Sequence, residues 1–355
     1  MSFRVRPATP DDFPAIYKMA KLTGGGFTNL PPDKTTLIEK LGHSGASFDR
    51  EDDEQRGDLY VFVLEDKNGA IRGTCQVFGQ VGVNQPFYSY HLSTLTQSSP
   101  ELGKTFRNQT LTLTTDLEGS SEVGGLFLHP ESRAGGLGAL LARSRYLFMK
   151  LHRARFGNRT LAELRGVMDE AGNAPFWDAL AGKFFGLTFP DADEFNAVHG
   201  TKFIADLMPR TPIYVDLLPE SARAVMGQPH PSGRAALKML EAEGFSFDRY
   251  IDIFDGGPTV TCQTDAIRTI KESEAHVVAE IGEGGKQKVL VAAGRLHDFR
   301  ACCAQVSRVP SKVQTRARSR NSMRCCPRPC VDGCRQTSRL ARCCLEESIH
   351  PPLWP

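Results

Sequence analysis

The chain has 355 residues, of which 40 % are hydrophobic and 24 % are charged, and its formal net charge is +2. That length can bury one large core or two moderate ones, and the composition is ordinary for a soluble globular protein. No apolar run approaches the roughly 18 residues of a membrane span, and charged residues stand where a signal peptide would be apolar. We therefore expect a cytoplasmic enzyme with neither a membrane nor a nucleic acid as partner.

The N-terminal part predicts a strand, a helix and a hairpin. Residues 3–6 alternate in polarity, and Thr9-Pro-Asp-Asp is a sequence that opens helices. The apolar side chains that follow share one helical face: Phe13, Ile16, Met19 and Ala20. Residues 59–64 and 71–81 predict paired strands, because Asp66-Lys-Asn-Gly between them has strong turn chemistry. We interpret the polar segment 82–122 as an insertion with strand-like pieces at 88–92 and 111–115.

A glycine-rich turn between a strand and a helix is the most informative local feature. Residues 125–128 are apolar, and Arg133, Gly136 and Gly138 follow with the spacing R-x-x-G-x-G. Glycines let the backbone approach a ligand, and the helix N-terminus adds partial positive charge. The helix is predicted from a stripe at three- and four-residue steps: Leu137, Leu140, Leu141, Ser144 and Phe148. The segment predicts a pyrophosphate-binding turn, although most glycine loops are simple turns.

A second strand and helix follow. Residues 162–167 predict a buried strand, and the segment from Asn173 predicts a capped helix with Pro175 in its first turn. Together with the glycine turn, they resemble the cofactor and substrate motifs of the GCN5-related acyl-CoA N-acyltransferases. The resemblance implies an α/β (α+β) fold with a mixed sheet flanked by helices. It also implies that two neighbouring parallel strands splay apart and that the acyl-pantetheine arm pairs with the first, here residues 125–128.

The chain carries more than a minimal acyltransferase needs. Residues 203–214 predict a helical piece stopped by proline, and residues 235–245 predict a helix that ends in glycine before a strand at 250–254. This order repeats that of residues 179–189. We therefore expect an acyl-CoA N-acyltransferase-like domain at 1–200 and a second acyltransferase-like or substrate region at 201–300.

Five separated blocks within residues 1–300 resemble the arginine N-succinyltransferase family: residues 22–31, 164–170, 203–209, 227–231 and 250–259. The resemblance implies transfer of a succinyl group from succinyl-CoA to the α-amino group of L-arginine, the first step of arginine catabolism by the succinyltransferase route. Succinyl-CoA would be a co-substrate, with no tightly bound cofactor and no metal. Arginine and ornithine offer the same α-amino group, so the preference between them stays open.

The resemblance also assigns roles to individual residues. In Gly227-Gln-Pro-His-Pro, the family's proton donor falls at His230, and histidine suits proton transfer near neutral pH. The residues expected to contact the cofactor are Leu126, Leu128, Arg133, Gly136 and Gly138. Without the resemblance, a loop histidine would be expected to face solvent. His129 is the nearest alternative, although Pro130 after it favours a structural role.

The substrate side is less defined. A guanidinium calls for a carboxylate in bidentate geometry, and the candidates are Asp169, Glu170, Asp252 and Asp255. Each could equally cap a turn or face solvent. Three glycines at 24–26, between Thr23 and Thr28, could form an anion nest for the succinyl carboxylate or a simple helix stop.

The last 55 residues differ from the rest. Residues 301–355 contain 10 Lys or Arg, 3 Asp or Glu and eight of the ten cysteines. The cysteine spacing lacks the two C-x-x-C hooks of a zinc site, and a nucleic-acid arm would need more stacking aromatics. We favour an out-of-frame, disordered tail, which would remove the family's C-terminal strands.

Two classes of function remain open at this level. The first is an active arginine N-succinyltransferase, as a homodimer or as a hetero-oligomer with a paralogous subunit. The second is a non-catalytic acyl-CoA-binding subunit or an inactive product, which the atypical tail would explain.

Overall fold

The computed structural model describes residues 3–23, 29–133, 135–169, 172–200, 202–277, 287–294, 296–306 and 341–346. Its strands are β1 Arg4–Pro7, β2 Leu59–Glu65, β3 Ile71–Phe78, β4 Ser89–Ser99, β5 Lys104–Thr114, β6 Ser121–Leu128, β7 Arg159–Glu163, β8 Ile213–Tyr214, β9 Ser246–Ile251, β10 Pro258–Gln263, β11 Glu274–Val277, β12 Gln287–Ala293, β13 Arg300–Val306 and β14 Ala341–Glu346. Its helices are α1 Phe13–Lys21, α2 Lys34–Asp49, α3 Leu137–Leu151, α4 Pro175–Ala179, α5 Gly182–Phe185, α6 Phe189–His199, α7 Lys202–Leu207, α8 Glu220–Val225, α9 Arg234–Ala242 and α10 Arg268–Glu272.

The strands form one sheet in the order β11-β14-β12-β13-β1-β2-β3-β6-β7-β10-β9-β4-β5-β8. Among the described strands, β6 and β7 are parallel and the other neighbours are antiparallel. Helices cover the sheet on both faces, which confirms the predicted mixed sheet flanked by helices. Strands from both sides of the predicted boundaries at residues 200 and 300 belong to this one sheet, because β7 pairs with β10 and β1 pairs with β13. The domain boundaries stay a prediction.

The N-terminal elements follow the sequence pattern. Asp12 accepts hydrogen bonds from the backbone N–H and the hydroxyl of Thr9, which fixes the turn before α1. Asp66 accepts from the N–H groups of Asn68 and Ala70 in the turn between β2 and β3. These local bonds explain why the helix start and the hairpin could be predicted.

The core lies in layers on the two sides of the central strands. On one side, Leu141 and Phe148 of α3 pack against strand residues such as Phe62. On the other side, apolar residues of α1 and α2 pack against the alternate positions of β2, including Val61 and Val63. Both faces of β2 are therefore buried, which is why its sequence is almost continuously apolar.

A third cluster fills the other half of the sheet. Trp177 of α4 is fully buried there, among residues of β4, β5, α6 and α8. The single helix predicted from Asn173 is instead two, because Leu180 leaves helical geometry after α4. The chain then folds back, and the indole Nε1 of Trp177 donates to the carbonyl oxygen of Leu187 at 2.8 Å.

Three predicted strands differ in their bounds. The strand predicted at 162–167 is β7, which ends at Glu163. The strand predicted at 250–254 is β9, which starts four residues earlier, at Ser246. The insertion contains a hairpin with strands of 11 residues each, longer than the two pieces predicted. Its outer half is exposed on both faces, so it lacks the alternation of buried apolar and exposed polar residues that predicts a strand.

The prediction for residues 301–355 needs a correction. We expected disorder from residue 301, but residues 301–306 belong to β13, and residues 341–346 form β14 between β11 and β12. Ala301 is fully buried and lies opposite Val5 of β1. The segments 307–340 and 347–355 lie outside the described residues, and the out-of-frame origin stays a prediction. Within the described residues, the structure contains no helix that is both long and apolar enough to cross a membrane.

Candidate active site

The parallel strands β6 and β7 are paired only at their amino ends. Ser121 lies opposite Thr160 and Glu122 opposite Leu161, and no further pairing of the two strands occurs within their described lengths. On its other edge, β6 stays paired with β3 as far as Leu128. The strands therefore separate toward their carboxyl ends and leave one edge of β6 available for a further strand. This confirms the splayed pair that the acyltransferase resemblance implied.

A bulge in β6 stands where the strands separate. The register between β3 and β6 shifts between Thr74 and Gln76, opposite Gly125. Gly125 has a φ of +57°, and a Cβ atom there would lie 2.7 Å from the Cδ atom of Gln76. Only glycine fits this conformation and this approach. Leu126 and Leu128 follow on the unpaired stretch, half-buried against the core cluster beneath α3.

The glycine turn connects β6 to α3 as predicted. The Nε of Arg133 donates to the carbonyl oxygen of Leu128 at 3.1 Å, and Gly135 and Gly136 have φ of +67° and +78° directly before the helix. A Cβ atom at Gly136 or Gly138 would meet no described atom within 4 Å. The first turn of α3 is therefore open, and its N–H groups can receive an anion.

The loop with His230 lies beside the carboxyl end of β7. The backbone N–H of His230 donates to the carbonyl oxygen of Arg165 at 2.7 Å, and Pro229 forms a β-bridge with Gly166. The N–H of Gly227 donates to the carbonyl oxygen of Gly256, which ties the start of the loop to the turn after β9. The tertiary structure thus brings His230 to the same end of β7 at which β6 and β7 separate.

The hydrogen bonds of His230 orient its ring. Nδ1 lies 2.7 Å from the Ser232 hydroxyl and accepts from the Ser232 N–H at 3.2 Å. In the neutral imidazole, acceptance at Nδ1 places the proton on Nε2. Burial and the nearby Arg165 guanidinium lower the pKa of His230. The ring can therefore present an N–H donor at Nε2, while Nδ1 is held by its hydrogen bonds with Ser232.

The other candidates occupy different positions. His129 precedes the glycine turn, and its N–H donates to the carbonyl oxygen of Arg72. Asp169 accepts from the N–H and side-chain amide of Asn173, so it caps a turn. Glu170 and the glycines at 24–26 lie outside the described residues.

Asp252 and Asp255 hold a loop together. Asp252 accepts from the N–H groups of Phe254 and Asp255, and Asp255 accepts from those of Gly166 and Gly257. Burial raises the pKa of both, and Asp252 adds to the effect on Asp255, whose pKa is about 8.

The sequence reasoning missed two carboxyl groups, of which one is buried and the other is partly buried. Glu122 of β6 and Glu163 of β7 lie near Asp252 and Asp255, and we call these four residues the acidic group. Burial raises the pKa of Glu122, and burial with the neighbouring carboxylates raises that of Glu163. Glu122 is the one charged residue of β6, and this was the available signal, because charged residues are seldom buried unless paired. Glu163 ends a strand that also contains Arg159, so its sequence gave no such signal.

Comparisons with known proteins point to one family. A family model described as the arginine N-succinyltransferase beta subunit matches residues 3–269. An arginine N-succinyltransferase from Salmonella schwarzengrund is 40 % identical over 347 residues, which cover 97 % of this chain and 98 % of the relative. One from Salmonella arizonae is 39 % identical over the same length.

A solved structure shows the same fold. The arginine/ornithine succinyltransferase subunit AI from Pseudomonas aeruginosa matches with a TM-score of 0.80 and 35 % identity, covering 88 % of this chain and 91 % of that chain. The splayed strands, the glycine turn and these matches over nearly the whole length lead to one conclusion: the chain belongs to the arginine N-succinyltransferase family.

Proposed function

We propose that the chain transfers the succinyl group of succinyl-CoA to the α-amino group of L-arginine. The observation that carries the proposal is the position of His230 at the end of β7, next to the opening between β6 and β7. The names of the Salmonella relatives give the acyl group and the amine. In the cell, the proposed compartment is the cytoplasm.

The cofactor is proposed to lie along β6 and end at α3. The unpaired stretch with Leu126 and Leu128 would hydrogen-bond the pantetheine arm as an added strand. The turn with Arg133, Gly136 and Gly138 would bind the pyrophosphate through open N–H groups and the positive end of α3. The thioester would then stand near the bulge at the opening.

The reaction needs one new bond, one broken bond and balanced protons. The amine nitrogen attacks the thioester carbonyl carbon, the C–N bond forms, and the C–S bond breaks to release the CoA thiolate. The nitrogen loses one proton and the sulfur gains one. His230 is proposed to supply the proton to the sulfur as an imidazolium, from Nε2, while its Nδ1–H donates to the Ser232 hydroxyl. The neutral ring that remains then takes up at Nε2 the proton that the nitrogen releases.

Thiol release from succinyl-CoA tests the proposal. The full chain is assayed with and without L-arginine, and with L-ornithine as the competing amine. Arginine-dependent release with formation of N-succinylarginine is the expected result. No arginine-dependent release from a folded sample would reject it. Binding of CoA without any turnover would favour the non-catalytic acyl-CoA-binding subunit.

The chain is also proposed to work as an oligomer, either with a second copy of itself or with a related subunit. The name of the Pseudomonas relative describes a subunit. Light scattering on the purified chain, alone, tests the homo-oligomer: a monomeric mass at assay concentration would contradict it.

A further inference from the structure

The two strands that separate at the opening each carry one glutamate on the same face of the sheet. Glu122 lies opposite Leu161 of β7, and Glu163 follows two residues later on that strand. Because strand side chains alternate, both carboxylates lie on the side away from α3, while Val123 and Ala162 join the cluster beneath that helix. They therefore face the side of the sheet that α1 and α2 cover.

A buried hydrogen-bond acceptor without a donor lies near these carboxylates. Glu122 accepts a hydrogen bond from the side-chain amide of Asn29 at 3.1 Å. The side-chain amide of Gln76 donates to the backbone oxygen of Asn29 at 2.7 Å, beside the Gly125 bulge. Gln76 is only 1 % exposed, and its Oε1 has no hydrogen-bond partner among the described residues. A buried amide oxygen without a donor is costly unless a ligand supplies one.

A second buried acceptor stands on the other strand. Thr259 of β10 lies directly opposite Glu163 and is fully buried. Its hydroxyl can donate to the Glu163 carboxylate, and its oxygen accepts from no donor among the described residues. Glu163 itself is only partly buried, unlike Glu122. A ligand that enters between the strands would therefore meet Glu163 first.

A bound cation would change the protonation of the acidic group. Burial and the neighbouring carboxylates raise the pKa values of Glu122, Glu163 and Asp255, so these groups favour their protonated forms. A cation placed among them would favour the ionised forms, since Asp252 and Asp255 otherwise accept only from backbone N–H groups. The cation that acts on Glu122 is Lys40, whose ammonium donates to the backbone oxygen of Asn29 at 3.0 Å. Among the described residues, Glu163 forms no ion pair with a lysine, arginine or histidine. Buried carboxylates without a counter-charge are strongly disfavoured.

We infer that Glu122 and Glu163, with the Gln76 amide oxygen, form the binding site for the cationic amino-acid substrate. The inference rests on the proposed function and names the residues that recognise its amine acceptor. A guanidinium offers five N–H donors and one delocalised positive charge, and the α-ammonium group of the same molecule adds another charge. An array of acceptors with surplus negative charge complements such a ligand and would reject a neutral isostere.

Binding measurements with L-arginine and L-citrulline test the site. Citrulline keeps the shape of the arginine side chain but replaces the guanidinium with a neutral urea group. Calorimetry on the full wild-type chain saturated with CoA is expected to show at least ~30-fold tighter binding of arginine. This ratio follows from the cost of leaving charged groups unpaired in a buried site. Equal affinity for the two ligands would overturn the inference.

Variants that replace one carboxylate with a neutral amide show which residues cause the preference for arginine over citrulline. Glu163→Gln and Glu122→Gln keep side-chain size, and Glu101→Gln, on the exposed turn between β4 and β5, is the matched control. In the two strand variants we expect the arginine-to-citrulline ratio to fall at least ~10-fold, while CoA affinity stays within about twofold of wild type. An unchanged ratio in both folded variants would overturn the inference. Should either variant fail to fold, the wild-type ratio and the other variant still decide.

The outcomes separate this inference from the proposed function. A wild-type chain that prefers arginine in binding but releases no thiol would contradict the succinyl transfer and leave the site supported. A chain that transfers succinyl to arginine and citrulline with the same KM would support the transfer and contradict the acidic site.

Discussion

The backbone N–H of His230 donates to the carbonyl oxygen of Arg165 at 2.7 Å and thereby fastens a loop of residues 227–231 to the chain that leaves β7. The neighbouring bridge between Gly166 and Pro229 adds a second attachment. Prolines on both sides of His230 restrict the backbone further. The imidazole is therefore held at a defined place next to the opening between β6 and β7, although nearly seventy residues separate it from β7 in sequence.

Replacing His230 by alanine should lower kcat for arginine succinylation by roughly 10²-fold, because a positioned proton donor contributes about that much. CoA binding should change less than about twofold, since the backbone bonds of the loop do not need the ring. Initial rates and calorimetry with CoA measure the two effects. His43→Ala, on the exposed surface of α2, is the control. An equal loss of CoA affinity would show that His230 has a structural role instead.

Gly125→Ala should weaken both folding and the use of succinyl-CoA. The bulge requires a φ of +57°, and the added Cβ would approach Gln76 to 2.7 Å. We expect a loss of about 1–3 kcal/mol in the free energy of unfolding and a raised KM for succinyl-CoA. Gly42→Ala, in open space on α2, should instead stabilise by about 0.5–1 kcal/mol. Urea titrations of both variants measure these changes. An unchanged free energy of unfolding in Gly125→Ala would contradict the bulge geometry.

Gly138→Ala separates binding from stability in the glycine turn. The added methyl group would meet no described atom, so the melting temperature should not fall. The same methyl group would stand where the pyrophosphate must approach the first turn of α3, and CoA affinity should drop at least ~10-fold. Binding of pantetheine, which lacks the pyrophosphate, is the control and should stay within about twofold. Unchanged CoA affinity would place the pyrophosphate elsewhere.

The stability of the fold should depend on the protonation of Asp255. Burial and the neighbouring Asp252 raise its pKa to about 8 in the folded protein, against an unfolded value of 3.8. A raised folded pKa stabilises the fold below the unfolded value, and this contribution is lost as pH rises toward 8. The free energy of unfolding should thus decrease between about pH 5 and pH 8.5, with a slope of at most about 1.4 kcal/mol per pH unit from this group.

Urea unfolding at several pH values measures that slope. Asp255→Asn removes the titrating carboxyl group and should flatten the wild-type curve over the same range. The comparison cancels the contributions of distant groups that titrate there, whereas the loss of Asp255 also removes one cause of the raised pKa of Glu163. A variant curve parallel to that of the wild type would show that Asp255 does not titrate in this range.

Limited proteolysis tests the prediction that the tail is out of frame. The composition of residues 307–340 predicts cleavage there before any cut within residues 1–300, because that segment lacks the apolar residues needed for a core. Cuts between 300 and 306 are not expected, since Ala301 is buried against β1. Mass spectrometry of the first fragments locates the cuts. A tail as resistant as the rest of the chain would contradict the prediction.

Local sequence determined the elements whose geometry depends on near neighbours. The helix start at Thr9 and Asp12, the hairpin turn at Asp66 and the glycine turn before α3 all arise from bonds within a few residues. The helical stripe of α3 was readable for the same reason, because its period is local. These features, with the resemblance to the family, were sufficient to predict the acyltransferase fold and the cofactor turn.

The tertiary structure decided which distant residues share the site. Glu122 and Glu163 are 41 positions apart in sequence, and they lie near each other because β6 and β7 pair in parallel for two residues and then separate. The same holds for β13, whose polar and cysteine-rich sequence gave no strand signal but pairs with both β12 and β1. Strand pairing between distant parts of the chain depends on which sheet edge is available when the sheet assembles, and a local sequence pattern does not indicate this. The sequence alone thus determined the turns, the helices and the family, while the position of His230 and the carboxylates around the opening came from the packing of the strands.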